Sequence, residues 1–372
     1  MKHKLKFLAI ITAMTISLSG CYPTGEKQLP PNGGSGVSDT QGNAEASHPF
    51  DGKVSEKFGD VELNYEISPD LPTQIPKIKL KRKEFDIELC KSVLLHDKTI
   101  IPGEIDWVIT TSDDCQLIIG GDRLEFYNNS MAETPKQYGM FAVLFNKFCR
   151  TGSIQLKSFS SMEAIEQVNK IFDELGIENY GEPGVVTVTP EEANAYLKKM
   201  ISAQGEGDNT GQEEYTLWEN DDGFYILKYR FNYNGIDICA DNLKTPGTSR
   251  SVKGSDIMVC ISKEGLFMIK TKTGMYDVIS LDEGTVELKY NAKYASDQLV
   301  EHYSKIVAVR FPTFFTECKL EYIPFEYVDD REAVFTPAWC FMGYTSMDDD
   351  GYLRNDHAAY YYADTGRSYG GF

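Results

Sequence analysis

Between Tyr225 and Tyr233 the chain alternates. Tyr225, Leu227, Tyr229, Phe231 and Tyr233 stand at every second position, with Lys228, Arg230 and Asn232 between them. Successive side chains of a strand point to opposite faces, so a period of two predicts a strand with one buried and one wet face. Asn234-Gly235 follows, a strong short hairpin signal, and Ile236 and Ile238 start the return strand. The pattern recurs. Ile257, Val259 and Ile261 lead to a turn at Lys263-Glu264-Gly265, and Leu266 to Ile269 return. Three more β segments are predicted at Leu320 to Tyr327, Val334 to Tyr344 and Ala358 to Ala363. One helix is predicted from Tyr294 to Ile306, with Leu299, Tyr303 and Ile306 on one face. Runs of strands with a few covering helices argue for an α+β fold rather than a parallel βαβ sheet.

The preceding stretch mixes the two element types. Glu104 to Ile119 is rich in β-branched and aromatic residues, with a turn at Ser112-Asp113-Asp114 and an end at Gly120-Gly121. Ser160-Ser161-Met162-Glu163 reads as a capping box, followed by Ile165, Val168, Phe172 and Leu175 at helical spacing and Gly176 as a stop. Thr189-Pro190-Glu191-Glu192 repeats that logic, with Ala193, Leu197, Met200 and Ile201 as the apolar face. The polar run Gly205 to Gly211 is the best boundary in the chain. The expected organisation is two domains of antiparallel sheet with a few packed helices, over residues 51–205 and 215–372.

The amino terminus has a different character. Lys2, Lys4 and Lys6 precede an apolar run from Phe7 to Leu18. Twelve helical residues span about 18 Å, short of a hydrocarbon core of about 30 Å. A cleaved export signal over residues 1–20 fits better than a permanent span. The run closes on Leu18-Ser19-Gly20-Cys21, which resembles the lipobox of bacterial lipoprotein precursors. The resemblance implies cleavage before Cys21 and a diacylglycerol on its sulfur. Two or more acyl chains anchor stably where one does not. Residues 21–50, rich in Gly, Ser, Pro, Asn and Gln, read as a flexible, disordered linker with a reach of about 30 Å.

Removing residues 1–20 takes away three lysines and no acid. It leaves 34 basic against 56 acidic side chains, a net charge of −22. Such a surface repels nucleic acid and anionic lipid. It could also attract cations or basic partners, but a plain solvated surface is the expectation. Of the eight cysteines (21, 90, 115, 149, 239, 260, 318 and 340), lipidation of Cys21 leaves seven, an odd number. None are spaced as CxxC, and Cys239, Cys260 and Cys340 sit in apolar alternating runs, as small buried hydrophobes do. So many free thiols on an exported protein fit a reducing, anaerobic habitat.

The ending Phe335-Thr336-Pro337-Ala338-Trp339-Cys340-Phe341, then Ala359-Tyr360-Tyr361-Tyr362-Ala363-Asp364-Thr365-Gly366, resembles the close of PepSY-like modules and of YycI/YycH-type membrane-tethered regulators. The resemblance covers about residues 215–372, and the whole chain is similar to uncharacterised lipoproteins of Firmicutes. Asp364 here runs straight into Thr365-Gly366, where that pattern has two intervening residues. What the resemblance implies is binding or regulation rather than catalysis.

The five histidines (3, 48, 96, 302 and 357) form no HExxH, and GxSxG, SxxK and Walker A loops are absent from the sequence. His302, beside Glu301, reads as a solvated helical side chain. Aligned on an EF-hand loop, Asp348, Asp350 and Gly351 fall at positions 3, 5 and 6, but Ser346 and His357 take the two end positions. Asp348 and Asp350 are the calcium candidates, and a solvated hairpin turn is the expectation, as at Asn220 to Gly223. Tyr225, Tyr229, Tyr233, Tyr360, Tyr361 and Tyr362 could form a carbohydrate or peptide platform, though aromatics at this spacing more often build a sheet core. The expected protein is a non-catalytic binding or regulatory lipoprotein. It needs no cofactor, is held by lipid on Cys21 at the extracytoplasmic face of the cell membrane, and takes a membrane-protein or envelope partner. The alternative is an envelope hydrolase with an unrecognised active site.

Overall fold

The computed structural model describes residues 52–67, 72–103, 105, 107–128, 155–203, 223–271, 274–305, 312–346 and 353–369. Cys21 with its lipobox, the segment 21–50, the polar run 205–211, Cys149, and Asp348 and Asp350 lie outside them.

Among the described residues there are twenty-one strands and four helices. The strands are β1 (Gly52–Phe58), β2 (Val61–Ile67), β3 (Gln74–Pro76), β4 (Ile78–Arg82), β5 (Ile100–Ile101), β6 (Val108–Thr111), β7 (Cys115–Gly120), β8 (Arg123–Asn128), β9 (Gly184–Val188), β10 (Phe224–Tyr229), β11 (Asn232–Tyr233), β12 (Ile236–Ile238), β13 (Leu243–Lys244), β14 (Ser251–Val252), β15 (Ile257–Ser262), β16 (Gly265–Thr271), β17 (Tyr276–Ser280), β18 (Thr285–Glu287), β19 (Thr313–Tyr327), β20 (Glu332–Ser346) and β21 (Leu353–Tyr362). The helices are α1 (Ile87–Leu94), α2 (Ser161–Glu174), α3 (Pro190–Ala203) and α4 (Ala292–Ser304). The fold is α+β.

Two large sheets organise the molecule. The first has nine strands and runs β1-β2-β19-β20-β4-β17, with β11 and β12 on a second branch from β19 and β21 on a second branch from β20. The second has eight strands in the order β5-β6-β7-β8-β16-β15-β10-β9. The ladders are antiparallel as expected, except that β2 and β12 both run parallel to β19. The spine of the first sheet is the β19–β20 hairpin, two strands of 15 residues each. Its turn is held by Asp329, whose Oδ1 accepts from the backbone N–H groups of Arg331 (2.7 Å) and Glu332 (2.8 Å).

The local signals produced the expected elements. Ser160 and Glu163 form a reciprocal capping box, with Ser160 N–H donating to Glu163 at 2.7 Å and Glu163 N–H to Ser160 Oγ at 3.2 Å. Thr189 and Glu192 do the same at the start of α3. Asn234 and Gly235 both take positive φ, at 50° and 83°, as a primed hairpin turn requires. The predicted helix at 294–306 is shifted two residues towards the amino terminus. Asn291 caps α4 by accepting from Tyr294 N–H.

Three expectations need correction. The alternating run 225–233 is not one strand. It ends at Tyr229, and the chain passes at Arg230 from the eight-stranded sheet to the nine-stranded one. Nor has β10 a wet face. Tyr225, Leu227 and Tyr229 enter one core with α2, while Phe224 and Ile226 enter another with Ala193 of α3. A strand flanked by β15 and β9 and covered on both sides is buried on both sides. Finally, the division into 51–205 and 215–372 does not separate the sheets. β9 pairs with β10 across five positions, and β4 pairs with β17 and β20. Each sheet draws strands from both sides of the polar run, and residues from Ala46 onward form one compact unit.

Candidate functional site

The aromatic platform is overturned by burial. Tyr225, Tyr229, Tyr360 and Tyr361 are core residues, and only Tyr233 and Tyr362 are partly exposed. Their polar tips fasten elements together. Tyr225 Oη donates to the Phe159 carbonyl at 2.9 Å, and Tyr229 Oη donates to Asn169 on α2 at 3.1 Å. The closing motif is likewise accounted for by packing. Trp339 Nε1 donates to the Tyr290 carbonyl at 2.8 Å. Gly366 has φ of 66°, and a Cβ there would lie 2.4 Å from the Tyr294 ring. Only glycine fits that turn.

Cys90, Cys115, Cys239, Cys260, Cys318 and Cys340 are all buried and free. Burial pushes the Cys90 thiol up to about 11 and raises those of Cys239, Cys260, Cys318 and Cys340 well above the usual thiol range. These groups are protonated at neutral pH and are not nucleophiles. His302 lies in the last turn of α4 with its ring 5.4 Å from that of Tyr303.

The main concentration of buried charge lies on one face of the nine-stranded sheet, and sequence reasoning missed it. Asp237 on β12 is in register with Glu321 on β19, so two carboxylates stand side by side. Arg230 Nη1 donates to Glu321 Oε1 at 2.5 Å. Lys319 Nζ lies 3.1 Å from Glu317, 3.4 Å from Glu321 and 3.7 Å from Asp237. Asn232 donates to Asp237 at 2.7 Å. Burial works against the charge on Arg230, but the carboxylates of Glu321 and Asp237 outweigh it and hold the guanidinium ionised. Burial and Arg230 likewise oppose the charge on Lys319, and Glu321, Glu317 and Asp237 overcome them. Glu321 is fully buried, and its Oε2 makes no hydrogen bond among the described residues. Cys340, opposite Lys319 in the ladder, adjoins the same carboxyl. The one sequence signal was a charge at an interior position of an apolar strand, as in Leu320-Glu321-Tyr322-Ile323.

This arrangement holds the sheets together. Arg230 occupies the crossing between them, with its carbonyl accepting from Gly181 N–H at 3.1 Å. A second charged contact spans the same seam. Asp122, in the β7–β8 turn, receives both of its hydrogen bonds from Lys253 at 3.1 Å, and Arg82 of β4 lies 3.7 Å away. The seam also contains a cavity of about 10 Å³, lined in part by Lys83, Tyr180, Phe231, Ser255 and Tyr276. That is room for about one water molecule. Among the described residues no group of three His, Cys, Asp or Glu side chains could hold a metal ion.

Of the ten exposed large apolar side chains among the described residues, three lie on the β5–β6 hairpin at the edge of the eight-stranded sheet. Ile100, Ile101 and Trp107 are 45%, 39% and 48% exposed.

No protein-family model matches this sequence, and no curated protein does. Among solved structures, the chain is similar to the crystal structure of an uncharacterized protein from Eubacterium rectale ATCC 33656. The TM-score is 0.62 at 15% identity, over 85% of this chain and 93% of that one. The likeness is one of fold.

Proposed function

We propose that this chain is a membrane-anchored, extracytoplasmic lipoprotein of non-catalytic binding or regulatory type, of the PepSY-like or YycI/YycH-like kind. The observation that carries the reading is the order of three signals at the amino terminus: Lys2, Lys4 and Lys6, the apolar run Phe7 to Leu18, and Leu18-Ser19-Gly20-Cys21. Diacylglycerol on Cys21 holds the protein at the outer face of the cell membrane. Residues 21–50 then join the anchor to β1. Among the described residues no helix is long and apolar enough to cross a membrane. Two observations on the folded body support binding over catalysis. The buried charges are ion-paired, Arg82 with Asp122 across the sheet seam and Arg230 with Glu321 at the crossing. The exposed apolar side chains of the β5–β6 hairpin form a contact surface on an otherwise acidic protein.

The test is metabolic labelling with a clickable fatty acid. The wild-type chain takes up label and partitions with membranes, and Cys21→Ala loses both. Label retained by Cys21→Ala would sink the reading.

A further inference from the structure

We propose that the β5–β6 hairpin is the docking surface, and that its partner brings an apolar face rimmed by Lys and Arg. The inference deepens the binding reading above and rests on it.

Adjacent residues of a strand point to opposite faces. Ile100 and Ile101 are adjacent and both largely exposed, so neither face of β5 is covered. Trp107 adds a large amphipathic ring at the far end of the same hairpin, the type of side chain that anchors protein contacts. The mode of contact follows from the backbone. Ser112 N–H donates to the Thr99 carbonyl at 2.9 Å, which makes Ile100 and Thr111 a non-hydrogen-bonded pair and turns the N–H and C=O of Ile100 away from β6. The next outward position is Pro102, which has no N–H to give. An added strand would find one donor and stop. The partner therefore docks on side chains.

Charge selects among possible occupants. Asp97, Asp113 and Asp114 are exposed around Ile100, and Lys98 is already paired to Asp113. A second copy would bring the same acids against this rim, and a bilayer rich in anionic lipid would bring phosphates. A Lys/Arg rim meets it with opposite charge.

The lipidated protein, held in zwitterionic nanodiscs, is titrated with two synthetic peptides sharing a Leu-Phe-Leu-Val core. One is flanked by two lysines on each side, the other by two glutamates. The lysine peptide binds and the glutamate peptide does not. The double variant Ile101→Ser/Trp107→Ser weakens binding by at least about tenfold, while Ile279→Ser on β17 leaves it unchanged, both variants keeping the wild-type unfolding midpoint. Equal binding by the double variant means that charge alone drives association, and equal binding of both peptides means that charge does not select; either overturns the proposal. So does a dimer, or adsorption to anionic nanodiscs, that the double variant abolishes, since the occupant would then be a second copy or lipid. A partner cross-linked in cells through another face, with this titration negative, would sink the hairpin and leave the binding reading standing.

Discussion

At the scale of single residues, Arg230 is the one that most decides this structure. Its backbone is the step between two sheets, and its guanidinium lies against a carboxylate with no other route to charge balance than Lys319. Removing Arg230 leaves Glu321 with Lys319, 3.4 Å away, as its remaining cation, so the loss falls short of a fully stranded charge and comes to about 1.5–3 kcal/mol, the worth of a hydrogen bond to a charged group. Arg230→Ala is therefore expected to lower the unfolding free energy by about that much in denaturant titration. The double variant Arg230→Met/Glu321→Met removes both charges and is expected to recover most of the loss. If Arg230→Ala falls within about 0.5 kcal/mol of wild type, the pair does not hold the crossing. Of this, only the charge of Glu321 inside an apolar strand was legible in the sequence. The alternation 225–233 treats Arg230 as one more outward-facing polar residue, because periodicity carries no information about a change of sheet. The glycine at 366 was legible as a turn. Its contact with Tyr294, some seventy positions earlier in the chain, was not.

At the scale of elements, the local chemistry was the reliable part. Caps, the Asn-Gly turn and the Ser112–Asp114 turn are decided within four or five residues, and each is where its residues demand. Ser160→Ala is expected to destabilise the protein by about 1 kcal/mol, the usual loss of an N-cap, with Ser160→Asp close to neutral. Glu163, the reciprocal member, has its carboxyl held below the usual range by the Ser160 backbone N–H and hydroxyl. A carboxylate with a depressed folded value stabilises above its unfolded value, and that contribution fades as pH falls through the folded one. The gap between Glu163→Gln and wild type should therefore close in acid. A gap that widens below pH 4 would contradict the capping geometry. Short strands were less legible. β8 follows Gly121, and its pairing with β16 joins residues about 140 positions apart.

At the scale of the whole molecule, four outer strands of the two sheets are blunted. β1 carries Lys53 and Lys57, β17 has a bulge between Val278 and Ser280, β5 has two residues before Pro102, and β9 follows Pro183. These are common devices against edge-to-edge aggregation. The six described thiols are equally closed off. With six described thiols buried, an air-free assay on the folded protein should find them slow to react, and full reactivity should return only in denaturant. Rapid modification of several thiols in native buffer would mean that the cores open readily. The domain boundary misled because composition marks only where the chain is polar, and the sheets are assembled by pairings that jump over that stretch.

The β4 ladder has a consequence for biosynthesis. Lys81 pairs with Asp277 on one side and with Glu332, about 250 residues downstream, on the other. A chain is synthesised amino terminus first, so an early strand stays without its neighbours until nearly the whole polypeptide has been made. Closing loops of that length is slow, and a chain waiting with apolar strands uncovered is exposed to misfolding. Chains truncated before β19 should accumulate as aggregates or be degraded, however well their own caps and turns form.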